Sequence, residues 1–327
     1  MRFLVWLTAL AALLYGGYWY VGSRAVLGSA EAALTQLKAE GRGDYSGIEL
    51  HGFPSRFDVT IKEPRLFGAN GRMGWQAPFV QVLALSYQPN HVIAVWPHDQ
   101  TLTLGPERMG LTSSDLRASA AFAASLSLPL QHAEMEGHDL VLSGGDWSVL
   151  ATKMILAARQ SASQPAGQEV ALVLTGLAPG DALRARIDPT GQQPALVDTA
   201  ELDLTPVFDR PVDRSVLASP LRLTALRTID GKFHWGQLGL DVQGDLAADA
   251  QGFAEGKLSL TARNWRGIYA LAQSAGAIPL QIAKPLQNIL AALEKGSGEA
   301  GVVKLPLRFK AGQTFVGPIA LGPAPRF

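Results

Sequence analysis

The sequence contains no cysteine, and its formal charges cancel. The absence of cysteine excludes disulfide bonds, thiolate nucleophiles, iron–sulfur clusters and zinc sites with thiolate ligands. The 28 basic residues balance the 28 acidic residues, so the chain lacks the positive field that holds a polyanion. We therefore expect no nucleic-acid partner.

The motifs of several common enzyme classes are also missing. The sequence has no G-x-S-x-G elbow for a nucleophilic serine, no G-x-x-x-x-G-K-[ST] phosphate loop and no H-E-x-x-H zinc pair, and no G-x-G-x-x-G follows a predicted strand. We expect neither an enzymatic activity nor a cofactor. A hydrolase that uses a metal or two carboxylates in another arrangement stays open, because a missing motif does not exclude a new site.

One long apolar run is present, at the N-terminus. Residues 3–21 read FLVWLTALAALLYGGYWYV, which is 19 residues without a charge. As a helix they would extend about 28 Å, close to the ~30 Å hydrocarbon core of a bilayer. Aromatic residues stand near both ends of the run, as is typical of a membrane interface. The run predicts a transmembrane anchor at residues 1–21.

The charges around this run give only a small orientation signal, because Arg2 precedes it and Arg24 follows it. We expect a single-pass protein of the inner membrane, with the N-terminus in the cytoplasm and the C-terminal domain in the periplasm. A cleavable signal peptide is the alternative, since small residues at 28–30 could be cleaved. The apolar run exceeds the ~7–15 residues of a signal peptide, which favours the anchor.

Beyond the anchor, the sequence predicts a mainly β (α+β) protein. Residues 22–42 have the apolar spacing of a short stalk helix or linker. Alternating apolar and polar residues then predict strands in two β-rich halves, at 43–160 and 168–327. The small, polar segment 161–168 is the candidate connection. We expect a large antiparallel, curved sheet or sandwich.

Two intervals favour helices that cover the strands. The first is 147–160, where Asp146 is placed as an N-cap after two glycines. The second is 264–294, in which Pro279 and Pro285 act as breaks.

The clearest alternation occurs in two segments near residue 250. Their apolar positions are the candidates for an apolar groove: Leu238, Leu240, Val242, Leu258 and Leu260. The same pattern is typical of the ordinary core of a β-sandwich. Both interpretations stay open at this point.

One polar group has the residue types of a metal site. His132, Glu134, Glu136 and His138 alternate, so on a strand they share one face. Alternate residues lie about 6.6–6.8 Å apart, which is too far for one ion to bind four in line. A solvated strand face is therefore the competing interpretation.

Several motifs together resemble a known family. They are the N-terminal anchor, HGFP at 51–54, APF at 77–79, LSYQPNHVIAVWP at 85–97 and the stretch 239–265. This combination resembles the DUF2125 family of membrane-anchored Gram-negative envelope proteins. The resemblance implies an anchored, exported β-rich protein without an assigned activity.

The C-terminal segment 315–325 is similar to the ends of AsmA-type envelope proteins. That similarity implies curved sheets whose apolar concave face is associated with phospholipid transport. The first functional hypothesis is therefore a protein that binds or shuttles lipid in an apolar groove. The second is an envelope scaffold without a ligand. The expected partners are the bilayer and either phospholipid or another envelope protein.

Overall fold

The structure is a computed structural model that describes residues 1–68, 71–217 and 219–327. It is mainly antiparallel β with an N-terminal helix and a few shorter helices, which confirms the predicted fold class. The chain forms two compact units. Unit 1 comprises Met1–Gly137 and Asp213–Ser219, and unit 2 comprises His138–Val212 and Pro220–Phe327.

Unit 1 contains one long helix, a short 3-10 helix at Arg214–Leu217 and the first strands of the chain. The elements in chain order are α1 (Arg2–Ala39), β1 (Gly43–Asp44), β2 (Gly47–His51), β3 (Arg56–Lys62), β4 (Arg65–Phe67), β5 (Met73–Gln76), β6 (Phe79–Leu85), β7 (Gln88–Val95), β8 (Asp99–Leu104), β9 (Glu107–Thr112) and β10 (Asp115–Phe122). Strand β11 (Leu130–Gly144) contains the boundary with unit 2.

The strands of unit 1 pair in two antiparallel runs. One run has the order β2–β3–β6–β7–β10. The other has the order β1–β4–β5–β8–β9. Phe57, Val59 and Leu116 are buried in this unit, each on a strand of the first run. This first run determines where the N-terminal helix is held.

Helix α1 is continuous from Arg2 to Ala39, so the predicted anchor and the predicted stalk form one element. The segment predicted as a stalk at 22–42 packs along β1, β2 and β3, and Ser23 on it is buried. An added Cβ at Gly22 would lie 2.8 Å from the ring of Phe57, which shows how closely the helix approaches the sheet. The sheet of unit 1 thus packs directly against the helix.

Unit 2 contains the remaining strands and three short helices. In chain order they are β12 (Trp147–Gln160), β13 (Gln168–Thr175), β14 (Ala178–Pro179), α2 (Asp181–Ile187), β15 (Thr199–Phe208), β16 (Leu223–Trp235), β17 (Leu238–Ala248), β18 (Ala254–Arg263), α3 (Trp265–Ser274), α4 (Leu280–Ser297), β19 (Val302–Lys310), β20 (Gln313–Val316) and β21 (Ile319–Pro323). From β13 the neighbours follow in the order β15–β16–β17–β18–β19–β20–β21, all antiparallel.

The prediction of a helix at 147–160 was wrong, because this segment is strand β12. Its apolar run fits a buried strand as well as a helix, and length does not separate the two here. The pairing of β12 with β13, from Lys153↔Thr175 to Gln160↔Gln168, satisfies its backbone. Asp146 accordingly lies in the turn between β11 and β12, where its carboxylate accepts from Arg186 at 3.2 Å.

The other predicted segments are found in unit 2 as follows. The segment 161–167 is the connection of the β12–β13 hairpin. The helical prediction for 264–294 is confirmed by α3 and α4, with Asn264 and Pro279 as their N-caps. Pro285 lies inside α4 and does not end it.

Two apolar clusters pack against the sheet of unit 2. The first joins β17, β18 and β19 with the C-terminal segment, and its buried members are Leu246, Ala254, Phe309 and Ala324. The second lies under α3 and α4, and its buried members are Trp265, Tyr269 and Val303. Val303 and Phe309 belong to the same strand, six residues apart, so the clusters lie about 20 Å apart along β19.

A charged clamp holds α3, α4 and the start of β19 together. The carboxylate of Glu294 accepts from both terminal nitrogens of Arg266, at 2.8 and 2.6 Å, and from the backbone N–H of Gly301 at 2.6 Å. The Arg266 hydrogen bonds and then the Gly301 hydrogen bond lower the pKa of Glu294 to about 2. Paired geometry of this kind favours the ionised carboxylate.

We predict that Glu294→Gln weakens this clamp in a pH-dependent way. A lowered pKa in the folded state stabilises the protein above the unfolded pKa of about 4.5, and this contribution is lost as the pH falls towards about 2. The wild type should therefore lose unfolding free energy over this window, and the variant should lose less. Urea unfolding of the detergent-solubilised protein at pH 7, 4.5 and 3 measures the difference.

Glu299→Gln is the matched control, because it removes the same charge from an exposed neighbouring position. Parallel pH profiles for wild type, Glu294→Gln and Glu299→Gln would contradict the assignment of the clamp.

Candidate functional site

One face of the unit 2 sheet carries a row of apolar residues that crosses seven neighbouring strands. Each residue pairs directly with the next, and directly paired residues of antiparallel strands point to the same face. We call this set the leucine row: Leu156, Leu172, Leu202, Gly231, Val242, Leu260 and Leu305. At a strand spacing of about 4.8 Å the row is about 29 Å long.

The β17–β19 end of the leucine row lies between the two apolar clusters of unit 2. Along β19, Leu305 stands between Val303 of the helix-covered cluster and the pair Leu307 and Phe309 of the C-terminal cluster. All members of the row are half-buried, so each keeps part of its surface accessible to solvent. Neither cluster, among the described residues, includes a member of the row. The row is therefore an apolar surface between two packed regions.

A glycine interrupts the row in its middle. Gly231 on β16 stands between Leu202 on β15 and Val242 on β17. A Cβ added there would lie 3.3 Å from Leu202 Cδ1 and 3.9 Å from Val242 Cβ. The side chain of Leu202 therefore lies close over Gly231 and fills the space that a side chain at this position would need.

The candidates from the sequence divide between this surface and the core. Val242 and Leu260 belong to the leucine row. Leu240 and Leu258 are half-buried in the adjacent rows, opposite Ala262 and Gly244. Leu238 is 5% exposed, and its Cδ2 atom would lie 2.6 Å from a Cβ at Gly267 of α3. Leu238 is thus a core residue beneath that helix.

Sequence reasoning missed the remaining members of the row. Leu156 lies in the segment that was predicted as a helix, and Leu172 lies in a segment without a clear alternation. Leu202 and Leu305 alternate with polar neighbours in the sequence, but only the cross-strand register aligns them with Val242 and Leu260. No local pattern contains that register.

Across β15–β19 the opposite face of the sheet is polar. On β12 and β13 the same face carries Ile155 and Val173. Asp241 accepts from His234 Nε2 at 2.8 Å, and its other oxygen accepts from Arg263. Burial on its own would raise the pKa of Asp241, but the hydrogen bonds with His234 and Arg263 outweigh it and lower that pKa. These groups, with Lys232 and Thr261, line a surface recess of about 520 Å³. On β15–β19 the two faces of the sheet therefore differ in polarity.

The predicted metal candidates lie on strand β11. His132 and Glu134 are exposed, and Glu136 lies 3.8 Å from Arg117 as an ion pair. Within residues 1–68, 71–217 and 219–327, no group of three or more His, Asp or Glu side chains is placed to hold a metal ion. Within the described residues, His132, Glu134, Glu136 and His138 thus lie on the strand without forming a set of metal ligands.

Helix α1 is long and apolar enough to cross a membrane, and no other described helix passes the same test. Together with the sheet, it defines a β-rich protein with one candidate membrane span and one apolar sheet face. A family model described as "Uncharacterized protein conserved in bacteria (DUF2125)" matches residues 19–325. The chain belongs to this family, as the sequence motifs predicted.

No curated protein and no solved structure matches the chain. The similarity to AsmA-type proteins therefore stays a prediction.

We predict that the leucine row contributes less to stability than the packed clusters do. Leu246→Ala removes a side chain that is 6% exposed and should cost about 2–5 kcal/mol of unfolding free energy. Leu260→Ala removes a half-buried side chain that belongs to neither cluster, so it should cost less than about half as much. Urea unfolding of both variants tests this, and equal costs would identify the row as core.

Proposed function

We propose that this chain is an inner-membrane-anchored protein of the bacterial envelope that binds a lipid acyl chain along the leucine row. The observation that carries the proposal is the row itself, an apolar and half-buried surface without a charged member. In this proposal the protein acts by binding, and no residue performs catalysis.

The length of the row suits an acyl chain that lies across the strands. One leaflet of a bilayer is about half of the ~30 Å hydrocarbon core, so an extended chain needs about 15 Å. The row is about 29 Å long by its strand spacing. Burial of each methylene contributes about 0.8 kcal/mol, so an apolar surface holds a chain without a polar pocket.

The anchor supplies the proximity to lipid that such a function requires. Residues 3–21 of α1 are free of charge, and the basic Arg24 follows them. We propose that α1 crosses the inner membrane once, with the N-terminus in the cytoplasm and the strands of both units in the periplasm. The polar face around Asp241 is the solvent-facing side of the same sheet.

Site-specific photo-crosslinking in cells tests the lipid. A benzoylphenylalanine in place of Leu260 lies on the row, and one in place of Ser259 lies next to it on the opposite face. After irradiation and purification, we expect a phospholipid adduct at position 260 and none at 259. Mass spectrometry of the purified chain measures both. Absence of an adduct at 260 would favour the envelope scaffold over lipid binding.

A charge in the row next to position 260 should remove this adduct. Val242→Lys places an ammonium directly opposite position 260 in the same row, and an acyl chain cannot lie over it without desolvating it. Gln243→Lys is the matched control, because it adds the same charge on the next residue and the other face. We expect the adduct at 260 to fall several-fold only with Val242→Lys. An equal fall in both variants would contradict a ligand along the row.

A further inference from the structure

Three connections of unit 1 lie together at one end of the run β2–β3–β6–β7–β10. The register places them there, because Arg56 pairs with Leu85, Leu85 pairs with Gln88, and His91 pairs with Ala121. We call these connections the tip loops: residues 52–55, 86–87 and 123–129. Beside the second and third tip loops, the Asn90 side chain of β7 donates a hydrogen bond from Nδ2 to the Phe122 carbonyl of β10 at 2.9 Å.

Each tip loop exposes one large apolar side chain. Phe53 is 66% exposed, Tyr87 is 67% exposed and Leu126 is 88% exposed. The tip loops contain no charged residue. The opposite end of the same strands carries Lys62, Glu63 and Asp115. At the tip end the first charged side chain is Arg56, the residue after the first tip loop, which forms an ion pair with Asp58. The tip loops themselves are therefore apolar and uncharged, with this ion pair at their border.

The aromatic residues of α1 bind this apolar end. The Tyr15 hydroxyl lies 3.0 Å from Ser86 Oγ, and the Tyr18 hydroxyl donates to the Ser86 carbonyl at 2.6 Å. The Trp19 indole N–H donates to the Arg56 carbonyl at 2.8 Å, and its ring meets Phe53 edge-on at 5.2 Å. Ser86 is fully buried in this contact. The hydroxyls of Tyr15 and Tyr18 and the indole N–H of Trp19 thus have hydrogen-bond partners at this end of the sheet.

These contacts set the depth of the tip loops relative to the apolar run of α1. Tyr15 lies six residues before Val21, the end of that run, so the contacts lie up to about 9 Å inside it. If the membrane ended before Tyr15, only residues 3–14 would cross it, and they extend about 18 Å. The hydrocarbon core needs about 30 Å. The helix therefore reaches across a bilayer only when the region of the contacts also enters it.

We infer that the tip loops form a second membrane contact, in which Phe53, Tyr87 and Leu126 insert into the leaflet around the C-terminal part of the α1 span. Aromatic and apolar side chains of this kind enter the boundary between headgroups and acyl chains by about 5–10 Å. Arg24 lies one turn beyond the run, at the level of the lipid phosphates. This inference rests on the proposed membrane anchoring by α1.

The absence of cysteine in the chain allows a direct measurement of depth. Single cysteines in place of Phe53, Tyr87 and Leu126 are labelled with nitrobenzoxadiazole in the full-length protein. The protein is reconstituted in vesicles of phosphatidylethanolamine and phosphatidylglycerol, with and without lipids that carry a quencher near the headgroup. Asp115→Cys, at the charged end of β10, is the aqueous control, and Leu10→Cys is the control within the span.

We expect blue-shifted emission and several-fold stronger quenching at positions 53, 87 and 126 than at position 115. Deep quenchers on the acyl chains should quench position 10. If the three tip positions match position 115 while position 10 is quenched, the anchor stands and the second contact is wrong. If position 10 is also unquenched, the anchoring itself is wrong, and the second contact fails with it. Circular dichroism of each labelled variant checks that the fold is kept.

Discussion

The apolar face of unit 2 depends on one constraint, which is the register of its antiparallel strands. Side chains alternate between faces, so a shift of one residue in any pairing would turn that strand's leucines to the polar side. The pairings Leu156↔Leu172, Leu202↔Gly231 and Leu260↔Leu305 keep the row aligned over the whole width. Two packed clusters stabilise the ends of the central strands, so the alignment does not require the row itself to be buried.

The N-terminal helix places a different demand on unit 1. In the proposed span the polar atoms of its tyrosines and tryptophan must be satisfied, and Ser86 of the tip loops and Arg56 at the start of β3 supply partners for them. The same contacts fix the sheet at a definite height along the helix. The residues from Tyr15 to Gly22 therefore join the candidate membrane span to the sheet of unit 1.

Several features follow from local sequence. The charge-free run at 3–21 predicts a helix able to span a bilayer, and the alternation from Leu238 to Val242 predicts strand β17. Asn264 and Pro279 mark the starts of α3 and α4, because a side-chain acceptor and a proline both favour the first turn of a helix. These patterns lie within a few residues, so they can be recognised without the fold.

Other features depend on partners far along the chain. The segment 147–160 has enough apolar residues for either helix or strand, and its pairing with β13 decides between them. Leu202 and Leu305 meet Val242 and Leu260 through registers that involve five strands. Ser86 lies 71 residues from Tyr15, and nothing near either residue indicates that they touch. Non-local pairing of this kind is why the site was only partly predicted.

The unbroken course of α1 has a further physical consequence. A spanning helix answers hydrophobic mismatch by tilting, and the tilt grows as the bilayer becomes thinner. Because α1 is continuous from Arg2 to Ala39 and packs along β1, β2 and β3, no hinge separates its span from unit 1. Under the proposed anchoring, the angle between the sheet of unit 1 and the membrane surface therefore depends on bilayer thickness, and lipid composition becomes a determinant of how this sheet is oriented.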